Sequence, residues 1–199
     1  MSDHAKLPGH ASVVVIGGGV MGCSTLYHLA AGGARDAVLL ERNQLTSGTT
    51  WHSAAQVRQL RSSRNLTRLI QYSAKLYAEL EAETGQSTGW LRTGSLSIAT
   101  NSDRLTHIRR QAALARAYGL EVEEVGPADV KQWWPLINAS DVIGAVWSPA
   151  DGRVNPSDLC LSLVKGARAR ALPRLRHELG RRRDGGRRGL GTGAVDHRR

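Results

Sequence analysis

The chain has 199 residues, 41% of them hydrophobic, enough for one or two domains with a packed core. Its 27 basic and 17 acidic side chains give a formal net charge of +10, but residues 166–199 hold 11 arginines against three acids, so the body is nearly neutral and does not read as a nucleic-acid-binding surface. Two distant cysteines, Cys23 and Cys160, exclude a disulfide framework and a zinc spacing, and no apolar run approaches the ~20 residues of a membrane-spanning helix.

Residues 1–11 show neither an apolar signal segment nor an Arg-rich leader, so a cytoplasmic location is expected. Residues 12–16 (SVVVI) are a short β-branched run, the pattern of a buried parallel strand. Glycines follow at once, then residues 20–31, free of proline and compatible with a helix, then a second apolar run at 37–40 that ends in Glu41. Strand, turn, helix and strand within about 30 residues make a βαβ unit, which needs further parallel neighbours to bury both faces. Residues 46–50 (TSGTT) are a polar loop. Residues 65–84 predict an amphipathic helix with Leu66, Leu69, Ile70, Leu76, Tyr77 and Leu80 on one face and Gly85 at its end.

Residues 95–100 predict a strand, and Ser102 caps a helix carrying Leu105, Ile108, Ala112 and Ala115, with Gly119 just past its end. Residues 121–125 and 142–147 predict two more strands. Between them Pro127 opens a short helix that Pro135 stops. Asn155 and Pro156 start a last helix with Leu159, Cys160, Leu163 and Val164 on one face. From residue 171 the chain turns to Arg and Gly, apolar periodicity is lost, and mostly disordered structure is expected.

Gly17, Gly19 and Gly22 form G-x-G-x-x-G between the first strand and the first helix, the context that gives this pattern its meaning. The first glycine permits the tight turn, the second lets the backbone approach a pyrophosphate, and the third lets helix and strand pack closely. Val20 and Met21 open the helix, whose free N–H groups and partial positive charge suit phosphate. Glu41 ends the second strand at the distance where an acid accepts hydrogen bonds from the adenosine ribose. Arg42 beside it leaves a 2′-phosphate reading open, against which the carboxylate argues.

The segments VVVIGGGVMGCSTLYHLA and LTSGTTWHSA, with RSSRNLTRLIQYSAKLYAELEAETGQ, GSLSIAT and DGRVNPSDL, resemble the dimethylglycine and sarcosine dehydrogenases, FAD-dependent amine oxidoreductases of the D-amino-acid oxidase type. The resemblance runs from about residue 12 to residue 170 and covers the N-terminal part of such proteins. It implies an α/β fold: a Rossmann-like FAD-binding βαβ unit (residues 12–90), an inserted α+β portion of a substrate domain (91–154), a helix returning to the FAD domain (155–170) and a basic tail (171–199). It also implies that Gly48, Thr49 and Thr50 contact FAD and that His52, in TTWH, bonds covalently to the flavin. Where the family often has Gly, this chain has Ala55, which restricts the backbone. The implied reaction transfers a hydride from an N-methyl amine to the flavin, after which the iminium product hydrolyses to an aldehyde and a demethylated amine. The substrate is thus a small amine, with neither membrane nor nucleic acid expected as partner and no catalytic residue assigned.

Arg58, Arg61 and Arg64 could attract a substrate carboxylate, although solvated or acid-paired arginines are commoner. Trp133 and Trp134 are expected in a core rather than in an amine pocket. Beyond residue 170 the abrupt change in composition is that expected of a shifted reading frame, which predicts a chain missing a sheet strand and inactive alone. Two other readings fit parts of the sequence: a nucleotide-binding protein with a basic arm for nucleic acid, and an NAD-dependent oxidoreductase.

Overall fold

The computed structural model describes residues 10–170; the expectations for residues 171–199 lie outside the described residues. Strand β1 (Val13–Ile16) leads through the glycine turn into helix α1 (Val20–Ala31) and back to strand β2 (Ala37–Leu40). The two strands pair in parallel, Val13 opposite Ala37 through Ile16 opposite Leu40. Helix α1 covers one face of the pair, so Val15 and Leu39 are buried with Leu26 and Ala30. Val14 and Ile16 face the other way and are 52% and 85% exposed. This corrects the expectation of a fully buried strand: among the described residues β1 has one neighbour, and only one face of the pair is covered by helices.

After the polar loop, strand β3 (Gln56–Val57) precedes helix α2 (Arg64–Thr84). Ser63 caps α2 by accepting from Leu66 N at 3.3 Å, and Gly85 ends it at φ +62°, a conformation that costs glycine nothing. The apolar face read from the sequence is only partly used. Leu80 is fully buried and Leu76 and Tyr77 pack on the core, whereas Leu66 and Leu69 remain about half exposed. Leu69 lines an open groove of about 660 Å³ between α1 and α2.

Strand β4 (Ser95–Ala99), helix α3 (Ser102–Ala117), strand β5 (Glu123–Val125), helix α4 (Pro127–Trp133) and strand β6 (Gly144–Ser148) form the second unit. Its antiparallel sheet has the order β4-β6-β5. Ile108 and Ala112 of α3 pack on Ala99 and Val146. Asn101, not Ser102, caps α3, accepting from Arg104 N at 2.8 Å. Two adjacent cap-competent residues made the sequence ambiguous there by one position. Trp133 and Trp134 are half exposed, contrary to the core packing expected of them. Helix α4 packs against β6, where Trp133 meets Trp147 at 5.2 Å between ring centroids and Trp134 lines an apolar cleft with Leu96, Ile98 and Leu136.

Strand β7 (Gly152–Arg153) carries the chain back and pairs antiparallel with β3, a two-residue ladder absent from the sequence reading. Helix α5 (Pro156–Arg170) then packs along α1, burying Leu159, Cys160, Leu163 and Val164 as their spacing predicts, and Ala167 with them. Three helices are tied by one polar cluster: Tyr27 Oη donates to Glu83 at 2.7 Å, and Arg170 lies 3.0 Å from the same carboxylate and 4.7 Å above the Tyr27 ring. These features establish the α/β architecture expected.

Candidate functional site

The glycine turn is closed from below by the sheet. Gly17 takes φ +103°, a conformation open to glycine, and its N–H donates to Leu40 O at 2.8 Å, joining the ends of β1 and β2. The other glycines are demanded by space. A Cβ on Gly22 would collide with the Gly17 carbonyl oxygen, and one on Gly19 would stand 2.9 Å from Thr50 Oγ1. Gly18, between them, could carry no side chain without striking Leu45. Gly22 thus lets α1 approach the turn closely, and Gly19 lies close beside Thr50.

Glu41 reaches this turn from the end of β2. Its carboxylate accepts from Gly18 N at 2.6 Å and from Asn43 N at 2.9 Å. These two backbone donors hold its pKa below the ordinary glutamate value, with the Arg42 backbone and charge adding to them. The carboxylate is thus ionised at neutral pH and keeps lone pairs free for hydroxyl donors. The Arg42 side chain is exposed beside it.

The polar loop folds over the start of α1. Thr50 Oγ1 accepts from Val20 N at 3.0 Å, while Gly19, the residue before the helix, provides no side-chain cap. Thr50 therefore braces the turn and retains its hydroxyl proton for a ligand. The loop is anchored at its other end by Thr46, whose N–H donates to Gly18 O at 2.9 Å and whose hydroxyl lies 3.1 Å from that of Ser157 on α5. Val20 and Thr50 also line a small cleft with Val57, Tyr77 and Val154. Met21, Gly48 and Thr49 are on the surface around the turn.

His52 is exposed at the outer end of this loop. Its Nδ1 lies 3.0 Å from Gly48 O, a carbonyl that can only accept, so Nδ1 is the donor in this bond. The neighbouring Trp51 ring stands edge-on to the imidazole. Ala55 takes φ +60°, the left-handed region that a glycine would occupy without strain, as the departure from the family pattern anticipates.

Arg58 and Arg61 line one cleft with Gln111 and Leu114, and Arg64 is not part of its lining. Arg58 donates to Ser97 Oγ at 2.8 Å and lies 3.8 Å from Asp151, Arg61 donates to the carbonyl of Leu60, and Arg64 sits exposed at the first turn of α2. Sequence reasoning missed Asp151. It is 5% exposed, accepts from Gln59 N at 2.8 Å and from Ser95 Oγ at 2.6 Å, and so fastens the segment after β3 to the small sheet. The only sequence signal was the Asp-Gly pair within DGRVNPSDL, which reads equally as a simple turn. Among the described residues no cluster of His, Cys, Asp and Glu is suited to a metal, and no helix is long and apolar enough to cross a membrane.

Comparison with known proteins gives a consistent picture. The model of a family described as FAD dependent oxidoreductase matches residues 12–198. Human mitochondrial sarcosine dehydrogenase is 47% identical over 165 residues, 82% of this chain but 18% of its own length. Rat mitochondrial dimethylglycine dehydrogenase is 37% identical over 158 residues, covering 79% of this chain and 18% of its own. Among solved structures, L-proline dehydrogenase from P. horikoshii superposes with a TM-score of 0.77 at 26% identity, over 83% of this chain and 44% of its own. The chain thus spans about one fifth of the length of the curated relatives it matches.

Proposed function

This chain belongs to the FAD dependent oxidoreductase family, and on that premise we propose that it carries the flavin-binding unit of an amine oxidoreductase acting on an N-methyl amino acid such as sarcosine or dimethylglycine. The family membership replaces the NAD-dependent alternative. The reading of the site rests on one observation, the glycine turn framed by Glu41 and by the loop that ends in His52.

The residues present fit the cofactor. Gly17, Gly19 and Gly22 leave the backbone open to a pyrophosphate, and the start of α1 offers its positive dipole end, where Thr50 rather than Gly19 accepts from Val20 N. Glu41, held ionised, accepts from ribose hydroxyls, with Arg42 exposed beside it. Gly48, Thr49 and Thr50 supply a loop with hydroxyl donors over the phosphates. His52 holds Nδ1 on the Gly48 carbonyl, which leaves Nε2 as the ring nitrogen to bond to a carbon electrophile. When bound, FAD supplies the two-electron acceptor that oxidation of an amine C–H bond requires.

The substrate class is carried by the curated relatives named for sarcosine and dimethylglycine. The test is to load the protein with FAD, add either amine without oxygen, and follow the flavin's visible absorbance. Bleaching by a sarcosine-type amine and not by a primary amino acid supports the proposal. Bound flavin that no N-methyl amine bleaches would withdraw the substrate reading from this chain on its own, the inactivity expected from its sequence. Acid precipitation addresses His52 separately: flavin should stay with the wild-type pellet and wash out of His52→Ala, and complete release from the wild type would exclude the covalent bond.

A further inference from the structure

We propose that Arg58, Arg61, Ser62 and Gln111 form an anion-binding site, a cleft between the segment that follows β3 and helix α3 that takes the phosphate or carboxylate group of a small molecule. None of its residues belongs to the glycine turn or to the loop through His52, so the proposal stands or falls apart from the flavin and substrate readings.

The cleft has a volume of about 310 Å³, with Arg58, Leu60, Arg61 and Ser62 on one side and Gln111 and Leu114 of α3 on the other. At ~30 Å³ per water it holds about ten waters, room for one oxyanion and a few atoms of its carrier. Every polar side chain on its lining is a hydrogen-bond donor, two guanidinium forks, a hydroxyl and an amide, and no acid stands among them. Among the described residues neither Ser62 Oγ nor the Gln111 amide has a partner. Arg61 gives one N–H to the Leu60 carbonyl at 3.0 Å and meets no carboxylate. Arg58 is the fixed member. Its Nη2 donates to Ser97 Oγ at 2.8 Å, and its Nε lies 3.8 Å from Asp151, so β4 and the turn before β7 set its orientation.

The charge around the cleft favours an anion. Between Glu41 and Glu79 the chain has no acidic residue, and α3 carries one, Asp103, in its first turn. Arg109 and Arg116 of α3 are answered by Glu124 on β5, whereas Arg61 has no such partner. Asp151 only partly offsets Arg58, because its oxygens already accept from Gln59 N and Ser95 Oγ and it stands beyond hydrogen-bond distance of the guanidinium. A planar guanidinium fork matches two oxygens of a carboxylate or phosphate. Leu60 and Leu114 make part of the wall apolar, which strengthens a charge-assisted bond relative to open water. Because Arg58 is already held by Ser97, ordering it costs little when the ligand arrives.

The experiment titrates inorganic phosphate, and separately succinate, into the intact chain by calorimetry, with sodium chloride holding the ionic strength constant. Saturable binding of either is expected, and which of the two binds tells a phosphate-bearing from a carboxylate-bearing ligand. Arg61→Gln should weaken it about tenfold or more, the loss expected for a hydrogen bond to a charged group. Arg64→Gln removes the same charge from the same segment but outside the lining, and should leave the affinity within about twofold. A second readout needs no variant to fold: phenylglyoxal modification of the wild type, mapped by peptide mass, should slow at Arg58 and Arg61 when the anion is present and stay unchanged at Arg64. Equal weakening by Arg61→Gln and Arg64→Gln would reduce the effect to a general positive field and overturn the site. Saturable binding with no protection of Arg58 and Arg61 would place the anion elsewhere, at the glycine turn among other positions, and overturn it too. Heat that never saturates with either anion would do the same.

Discussion

Adding one methyl group at Gly22 strains the turn at its tightest point. The new Cβ would collide with the Gly17 carbonyl oxygen, lie 3.1 Å from the carbon of that carbonyl and 3.3 Å from Leu39 Cδ1. Two of these three atoms are backbone, and Gly17 is fixed by its N–H bond to Leu40 O, so α1 must move away from β1. Overpacking of this kind costs about 1–3 kcal/mol, and loosening the Gly17 bond adds roughly 1. Alanine recovers roughly 1 kcal/mol of helix propensity over glycine. The net for Gly22→Ala is a loss of about 1–3 kcal/mol, which in a domain of this size lowers the melting temperature by about 2–12 °C. FAD affinity should fall with it, since the first turn of α1 is displaced. The control is Gly48→Ala, where a Cβ meets nothing and the change should stay within about 0.5 kcal/mol. Thermal melts followed by circular dichroism compare the three proteins. If Gly22→Ala melts with the wild type, the close approach of α1 to β1 is not what the glycine serves, and the reasoning fails.

Ala55→Gly should stabilise by about 0.5–1 kcal/mol, because relief of the left-handed strain at φ +60° outweighs the added freedom of the unfolded chain; a lower denaturation midpoint would contradict this. Asp151→Ala should cost about 3 kcal/mol in chemical denaturation by stranding Gln59 N and Ser95 Oγ in a buried setting, and a loss under 1 kcal/mol would show that water replaces the carboxylate. Glu41 has a lowered pKa in the folded protein, so the stability it contributes is present above the ordinary glutamate value of 4.5 and is lost as pH falls through the folded value. The melting temperature of Glu41→Gln should consequently depend less steeply on pH below 4.5 than that of the wild type, and parallel curves would dismiss the two backbone donors as the cause.

What the sequence disclosed follows from how local each signal was. β1, the glycine turn, α1 and β2 are adjacent in the chain, and their periodicity and glycines declare them without tertiary help. The same holds for α5, whose buried positions follow directly from helical spacing. The β3–β7 ladder was invisible because each strand has two residues and its partner lies far along the chain. The half-exposed Leu66 and Leu69 show a different shortfall, since the sequence marks an apolar face but not how much of it finds a partner. At the site, the glycines and Glu41 were legible from spacing. Thr50 was singled out as a cofactor contact, yet its bond to Val20 N appears only once the loop folds back over α1. The proton position on His52 likewise depends on the Gly48 carbonyl, which turn geometry alone places. Asp151 escaped notice because an acid in an Asp-Gly pair looks like turn chemistry until its burial is known.

The central claim is that the turn at Gly17–Gly22 and the loop through His52 bind FAD. The most direct test titrates FAD into the purified intact chain, follows quenching of flavin fluorescence, and measures the flavin retained after desalting. Retention near one flavin per chain, lost on Gly19→Val and unaffected by NAD, is the result predicted. A chain that melts cooperatively yet retains no flavin, or that binds NAD in its place, would contradict it.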